Sequence, residues 1–200
     1  MNCIERISEY CNLTPEAPRQ AKLGAPVGWP TKGAVEFKGV DFRYRTDLPL
    51  VLRDTSFKIN GGFKVGITGR TGGGKSTILS ALFRLVEVAG GQILIDGIDI
   101  SALELDELRS KITIIPQDTT LFEGTVRYNL DPFHRFQDDA LWEALEEVEM
   151  KQSVEAFELD GMKTGLNHRV DERGTNFSAG ERQLICMART ILRKTRVLVM

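Results

Sequence analysis

Residues 69–76 constrain this chain more than any other segment, because they read GRTGGGKS and match the pattern G-x-x-x-x-G-K-[ST] throughout. The glycines allow a sharp backbone turn that aims N–H groups at phosphate oxygens. Lys75 supplies a positive charge for β and γ phosphates, and the Ser76 hydroxyl suits a Mg²⁺ ion. The segment, here called the phosphate loop, therefore predicts a nucleotide site whose candidate residues are Gly69, Arg70, Thr71, Gly72, Gly73, Gly74, Lys75, Ser76 and Thr77.

The apolar pattern around this loop predicts strands first and then alternating helices and strands. Residues 34–44 and 51–59 alternate apolar and polar side chains, as half-buried strands do. A strand at 63–68 and a helix at 75–86 flank the loop, which makes a chance match improbable. Further predicted elements are a strand at 91–96, a helix at 105–111, a strand at 112–116, a helix-rich stretch at 124–160, a helix at 179–192 and a strand at 197–200. This order predicts an α/β domain with two appendages.

The first 33 residues differ in character from the rest. Residues 1–12 have the spacing of a short amphipathic helix, with Ile4, Ile7 and Cys11 on one stripe. The linker that follows holds prolines at positions 15, 18, 26 and 30, a density that prevents regular structure. No apolar run reaches the roughly 18 residues of a transmembrane helix, so a membrane role requires a partner or additional sequence.

Charge and histidine placement exclude two other kinds of site. The chain carries 26 basic and 28 acidic residues. Nucleic-acid-binding proteins usually carry a basic excess, so this balance argues against nucleic acid as a partner. His134 and His168 have no carboxylate or cysteine neighbours at metal-ligand spacing, and both are interpreted as surface residues.

A second helix start is predicted at residues 176–184, which read NFSAGERQL. Ser178 and Glu181 form the S-x-x-E pattern of a capping box, in which each side chain binds the other residue's backbone N–H. An ordinary helix start explains this pattern. A functional interpretation adds that Ser178, Gly180 and the exposed N–H groups form a second anion site, which would serve another subunit's nucleotide.

Two isolated residues are weaker candidates. Gln117 closes the predicted strand 112–116, where α/β folds commonly bind ligands, and its amide oxygen suits a metal or a water. Tyr44 ends the first predicted strand, and its ring could stack on a base near the phosphate loop. Taken alone, a glutamine at a strand end is more often a solvated residue, and a strand tyrosine is more often part of the core or its rim.

Together these motifs resemble the ABC transporter family, and within it the second nucleotide-binding domain of the C subfamily, the multidrug-resistance-associated exporters. The resemblance rests on their order: Tyr44, GRTGGGKST, Gln117, VDERGTNFSAGERQL and the apolar strand RVLVM. The segment DLRSKITIIPQDTTLFEGTVRYNLDPF and the leader IERISEYCNLTPEAP extend it over nearly all 200 residues.

The resemblance implies a role for each matching residue. It implies that Tyr44 stacks on adenine, that Gln117 senses Mg²⁺ together with Ser76, and that Lys75 and Gln117 take part in catalysis. Glu172 and Arg173 would touch the coupling helices of the transmembrane domains. The signature segment, residues 178–183, would face the partner's ATP through Ser178, Ala179, Gly180 and Glu181. The usual signature begins Leu-Ser-Gly-Gly-Gln, so Ala179 and Glu181 are departures that the subfamily tolerates.

The resemblance also implies an architecture. The expected fold is α/β, a P-loop NTPase (ABC ATPase) core with an antiparallel β subdomain and a helical subdomain, incomplete at the C-terminus. Residues 1–33 would be a leader helix and Pro-rich linker from a transmembrane domain, and residues 34–200 a truncated nucleotide-binding domain with its helical subdomain at about 118–178. The family's Asp and catalytic Glu after the strand RVLVM, and its switch His, fall beyond Met200, so the fragment alone is expected to be inactive.

The implied function is ATP binding and hydrolysis, with Mg²⁺, coupled to export of solutes across a membrane. The expected partners are a second nucleotide-binding domain in a head-to-tail dimer and transmembrane domains, with the chain at the cytoplasmic face of a membrane. Three alternatives are a nucleotide-sensing domain of a channel-type relative, a soluble ABC ATPase of DNA repair or translation, and a small P-loop kinase. The leader and the segment DLRSKITIIPQD argue against the soluble ATPase, and NFSAGERQL has no role in a kinase.

Overall fold

The computed structural model describes residues 3–13, 24–116, 118–159 and 161–200. It divides the chain into two compact units, residues 1–110 and 111–200. Two of the four predicted linker prolines, Pro15 and Pro18, lie outside the described residues.

A four-stranded antiparallel sheet forms the core of the first unit. Its strands are β1 (Val35–Phe42), β2 (Leu52–Ile59), β3 (Gly90–Ile95) and β4 (Ile98–Asp99), in the order β2-β1-β3-β4. The predicted strands at 34–44, 51–59 and 91–96 are therefore confirmed. The buried side chains of β1 are Val35, Phe37, Val40 and Phe42. The spacing changes between Phe37 and Val40 because a register shift interrupts the pairing of β1 with β2 there.

The described residues up to 111 form three α-helices: α1 (Cys3–Cys11), α2 (Lys75–Leu82) and α3 (Leu105–Lys111). The helix predicted within residues 1–12 is confirmed, but its residues Ile4 and Ile7 are exposed. Helix α2 ends four residues before the predicted position 86. At this end Arg84 takes a left-handed conformation (φ 47°), and its guanidinium binds the carbonyls of Ile100 and Leu103, which are distant in sequence, at 2.8 and 2.7 Å.

The strand predicted at residues 63–68 is wrong. The backbone there is not hydrogen-bonded into any sheet of the first unit among the described residues. Phe63, Val65 and Ile67 are 71%, 55% and 45% exposed. An apolar run becomes a strand only when a neighbouring strand pairs with its backbone, and the local pattern cannot reveal whether one is present.

The second unit is mainly helical. Its strands are β5 (Ile112–Ile114), β6 (Gly124–Thr125), β7 (Glu158–Leu159), β8 (Met162–Lys163), β9 (Arg169–Val170) and β10 (Val197–Val199), and its helices are α4 (Val126–Leu130), α5 (Asp138–Glu147), α6 (Lys151–Glu155) and α7 (Ala179–Arg193). Strand β10 pairs parallel with β5. The predicted helix-rich stretch and the predicted elements at 112–116, 179–192 and 197–200 are confirmed. Helix α7 packs against α4 and α5 over a core that includes Leu141, Leu145, Val170, Ile185 and Ala188.

The structure also shows how exposed the two histidines are and whether a described helix could span a membrane. His134 is exposed, as predicted, whereas His168 is half-buried, with its ring centroid 4.4 Å from that of Phe157. None of the described helices combines the length and the apolar character needed to cross a membrane.

Asp96 fastens the segment that leads into the sheet. Its carboxylate accepts four backbone hydrogen bonds of 2.7 to 3.1 Å, from the N–H groups of Thr31, Lys32, Gly33 and Ala34. Burial raises the pKa of this carboxyl, but the hydrogen bonds from Lys32, Ala34, Gly33 and Thr31 outweigh burial and hold the pKa below its ordinary value. The carboxylate form therefore stabilises the folded chain.

We expect Asp96→Asn to lower the free energy of unfolding at neutral pH, because an amide offers one acceptor oxygen where the carboxylate offers two. Asn accepts the left-handed conformation that residue 96 adopts (φ 49°), so the backbone is retained. The pKa is depressed on folding, so the contribution is present above the unfolded pKa of about 3.9 and is lost as the pH falls through the folded value. Urea titrations at neutral pH and at about pH 3 should show a difference that shrinks in acid. A pH-independent difference, or an equal effect of Asp47→Asn at an exposed position, would contradict this account.

Candidate functional site

The phosphate loop has the backbone conformation that its glycines predict. Gly72 and Gly74 have φ values of 79° and 81°, and the N–H of Gly73 donates to the carbonyl of Arg70 at 3.0 Å. Gly74 is buried at the start of helix α2. A Cβ there would approach Leu52 Cδ2 to 3.1 Å, so both conformation and close packing require glycine. The buried Gly74 therefore joins the phosphate loop directly to helix α2.

Lys75 folds back over the loop. Its Nζ donates to the carbonyl oxygens of Gly69 and Arg70, both at 2.8 Å. The N–H groups of Thr77 and Ile78 donate to the carbonyl of Gly74. The N–H groups of Lys75 and Ser76 lie before them at the helix start, where a helix offers no intrahelical acceptor. An ammonium, helix-start N–H groups and the exposed hydroxyl of Ser76 form a donor set that suits a phosphate, with one hydroxyl oxygen for a divalent cation.

The other predicted residues of the loop are exposed backbone or surface positions: Gly69, Arg70, Thr71, Gly72 and Gly73. Their exposure leaves the loop open to a ligand. The assignment of individual loop residues to nucleotide binding stays a prediction.

Tyr44 lies beside the first turn of helix α2. Its hydroxyl is 3.0 Å from the hydroxyl of Thr77, which is buried. Its ring packs edge-on against Phe42, with centroids 5.2 Å apart, and the residue is 43% exposed. The structure therefore places an exposed aromatic surface next to the phosphate loop, as a base-stacking residue requires.

Gln117, the predicted metal-sensing residue, lies outside the described residues. The strand that it was predicted to close, β5, belongs to the second unit, and the phosphate loop belongs to the first. Its proposed role with Ser76 rests on the sequence alone.

The predicted capping box is present. The Ser178 hydroxyl accepts from the N–H of Glu181 at 3.2 Å, and the Glu181 carboxylate accepts from the N–H of Ser178 at 2.8 Å. Ala179 and Gly180, in the first turn of α7, are exposed. The helix start is thus confirmed, while its role toward a second nucleotide stays a prediction.

The residues before the signature segment form a closed turn, residues 171–177. Asn176 donates from its side chain to the carbonyl of Arg169 at 2.8 Å and accepts from the N–H of Asp171 at 3.0 Å. Arg182, in the first turns of α7, donates to the carbonyl of Phe177 at 2.6 Å and to that of Gly174 at 3.4 Å. Glu172 and Arg173 are exposed on this turn. The sequence motif includes Asn176 and Arg182 but did not predict these contacts, because the backbone groups that they bind leave no trace in a side-chain pattern.

A buried polar contact fixes the middle of helix α7. Asn129 is 1% exposed and binds both backbone groups of Phe122 at 2.8 Å. Arg189 donates to the side-chain oxygen of Asn129 at 2.6 Å and to its backbone carbonyl. A helical-period argument treats Arg189 as an ordinary surface residue, so this contact also went unpredicted.

The fold and the two motif-bearing segments agree with a known family. The family model described as ABC transporter matches residues 52–200, and the chain therefore belongs to the ABC transporter family. The chain is similar to ATP-binding cassette sub-family C member 2 of Homo sapiens, at 47% identity over 197 residues, which cover 98% of this chain and 12% of that protein. It is similar to multidrug resistance protein mrp-7 of Caenorhabditis elegans, at 48% identity over 198 residues, which cover 98% and 13%.

A solved structure supports the fold assignment. The chain resembles the structure titled "Structure of a bacterial Atm1-family ABC exporter with ATP bound", with a TM-score of 0.86 and 30% identity over 98% of this chain and 33% of that chain. The predicted ABC ATPase fold and the C-subfamily resemblance are thereby confirmed. The chain spans only 12% and 13% of the length of the two curated relatives.

Two substitutions at Tyr44 separate its ring from its hydroxyl. Tyr44→Phe keeps the ring on Phe42, so we expect MgATP affinity within about twofold of the parent, whereas Tyr44→Ala should weaken it about tenfold through lost stacking. Equilibrium binding of MgATP to the 200-residue chain measures both. Tripolyphosphate has no base and serves as the control ligand. Equal losses for the two variants, or loss of tripolyphosphate binding with Tyr44→Ala, would rule out stacking.

Glu181 offers a test of the capping box. Glu181→Gln preserves an acceptor for the Ser178 N–H and should leave the stability of the second unit nearly unchanged. Glu181→Ala removes it and should lower the free energy of unfolding by about 1 kcal/mol. Amide hydrogen exchange at the start of α7, with urea unfolding, gives both quantities. Equal destabilisation by Glu181→Gln and Glu181→Ala would contradict the role of the capping box.

Proposed function

We propose that this chain is the ATP-binding domain of an exporter of the multidrug-resistance-associated type, in which MgATP binding and hydrolysis drive transport of drug-like or organic-anion solutes across a membrane. The observation that carries the proposal is the phosphate loop, where Lys75 and the start of helix α2 converge on an open, glycine-shaped turn. Similarity to C-subfamily transporters over 98% of the chain supports the transport role.

Each part of the proposed ATP site has a residue to fill it. The backbone of residues 69–74 and the ammonium of Lys75 would hold the phosphates, and Tyr44 would hold the adenine. Ser76 and Gln117 would bind Mg²⁺, which neutralises phosphate charge when bound. Lys75 would exchange the carbonyls of Gly69 and Arg70 for phosphate oxygens when it binds a nucleotide.

The second unit would serve partners. Ser178, Ala179, Gly180 and Glu181 would close on the nucleotide held by a second nucleotide-binding domain in a head-to-tail dimer. Glu172 and Arg173, exposed on the 171–177 turn, would contact the coupling helices of transmembrane domains. These contacts would hold the chain at the cytoplasmic face of a membrane. The nearly balanced charge supports partners other than nucleic acid.

The same proposal assigns the segments of the chain. Residues 1–33 would be a leader from a transmembrane domain and residues 34–200 the nucleotide-binding domain, with a helical subdomain at about 118–178. The exposed apolar residues Ile4 and Ile7 on helix α1 support the leader assignment, because they are available to neighbouring membrane helices.

A polypeptide of residues 1–200 should bind MgATP weakly and hydrolyse it negligibly. Its phosphate loop supplies the cradle, but the family's water-activating carboxylate falls outside these residues. Phosphoryl transfer needs metal, positioned water and charge stabilisation together. Binding and turnover can therefore be tested separately.

The decisive substitution is Lys75→Ala. It removes a charge-assisted phosphate contact and should weaken MgATP binding by about tenfold or more, whereas Lys64→Ala, at an exposed lysine upstream of the loop, should not. Titration of a fluorescent ATP analogue against the chain measures the affinity. Equal affinities for the two variants would overturn the nucleotide site. Steady-state hydrolysis that Lys75→Ala abolishes would overturn the expectation of negligible turnover.

A further inference from the structure

Arg182 links two segments to which the proposed function gives different tasks. It projects from the first turns of helix α7 back to the backbone that precedes the helix. Its Nη1 lies 2.6 Å from the carbonyl oxygen of Phe177, next to Ser178, and 3.4 Å from that of Gly174, next to Arg173. Arg182, which itself belongs to the signature segment, therefore binds two carbonyls of the 171–177 turn, one in its middle and one at its last residue.

The 171–177 turn is held together by its own hydrogen bonds and by close packing. The N–H of Gly174 donates to the carbonyl of Asp171 at 2.7 Å, and the N–H of Phe177 donates to the carbonyl of Gly174 at 3.0 Å. Gly174 is buried with φ 69°, and a Cβ there would lie 3.0 Å from Leu121. The side chain of Asn176 closes the base of the turn. A displacement of the exposed residues must therefore shift the carbonyls that Arg182 holds.

The chemistry of arginine suits this link. A guanidinium is planar and keeps its charge, and each terminal nitrogen carries two N–H groups, so Nη1 alone can donate to both carbonyl oxygens. None of the ion pairs found within the described part of the chain includes Arg182 or Glu181. The charge of Arg182 thus faces backbone carbonyls, and its contacts connect helix α7 to the turn that precedes it.

We propose that Arg182 is a positioning residue that couples the 171–177 turn to the signature segment. It holds the carbonyls of Phe177 and Gly174 at a fixed separation, so that movement of Glu172 and Arg173 by a transmembrane partner reorients Ser178. This inference rests on the proposed function, because it assigns the turn to the membrane partner and Ser178 to the nucleotide of the second domain.

The test uses the full-length transporter that contains this chain, purified with its partner domain. Arg182→Gln removes the guanidinium and its charge, and Arg182→Lys keeps the charge. Arg193→Gln removes a charge from an exposed position of the same helix. Two quantities are compared: the affinity of this chain's own phosphate loop for MgATP, and the kcat and KM of steady-state hydrolysis. Lys75→Ala in the same protein reports on the proposed function separately.

We expect Arg182→Gln to lower kcat about tenfold, the effect of losing a charged hydrogen bond, with the affinity of the chain's own phosphate loop within about twofold. Arg182→Lys should recover part of kcat, and Arg193→Gln should change neither quantity. An unchanged kcat for Arg182→Gln, or an equal loss with Arg193→Gln, would overturn the proposal. So would a fall in kcat accompanied by global loss of hydrogen-exchange protection in α5, because that pattern marks an unfolding defect. If Lys75→Ala leaves MgATP binding intact, the proposed function fails whatever Arg182 does.

Discussion

The irregular segments of this chain depend on one requirement, that backbone groups outside helices and strands find hydrogen-bond partners. Where helices and strands do not supply them, single polar side chains bind several backbone groups at once. Asp96 gathers four N–H groups, Asn129 binds both backbone groups of Phe122, and Arg182 spans two carbonyls. Each of these contacts fixes the conformation of a loop beside a helix or a strand, and so helps to position that helix or strand.

The two motif-bearing helix starts follow the same constraint. In the phosphate loop, the ammonium of Lys75 satisfies two carbonyls of its own loop. At the signature segment, Ser178 and Glu181 satisfy each other's N–H groups. Internal hydrogen bonds therefore define the conformations of both segments. Ligand binding at such a segment replaces internal hydrogen bonds and does not require a disordered loop to fold.

Local chemistry explains which features could be predicted from the sequence. The phosphate loop, the capping box and most elements were predictable, because their determinants lie within a few neighbouring residues. The end of helix α2 was not, since the left-handed backbone of Arg84 depends on the carbonyls of Ile100 and Leu103. Arg182 and Arg189 bind backbone groups, which every residue type carries. The positions of Gln117 and of the linker prolines Pro15 and Pro18 stay predictions.

The exposed segment at residues 63–68 has a consequence for handling the protein. Phe63, Val65 and Ile67 occupy alternate positions of this segment, and all three are exposed to solvent. An apolar segment whose backbone pairs with no strand is a template for a strand of another molecule. Concentrated solutions of residues 1–200 are thus prone to edge-to-edge self-association through this segment. Charged substitutions at Val65 would act as gatekeepers against such aggregates without touching the phosphate loop.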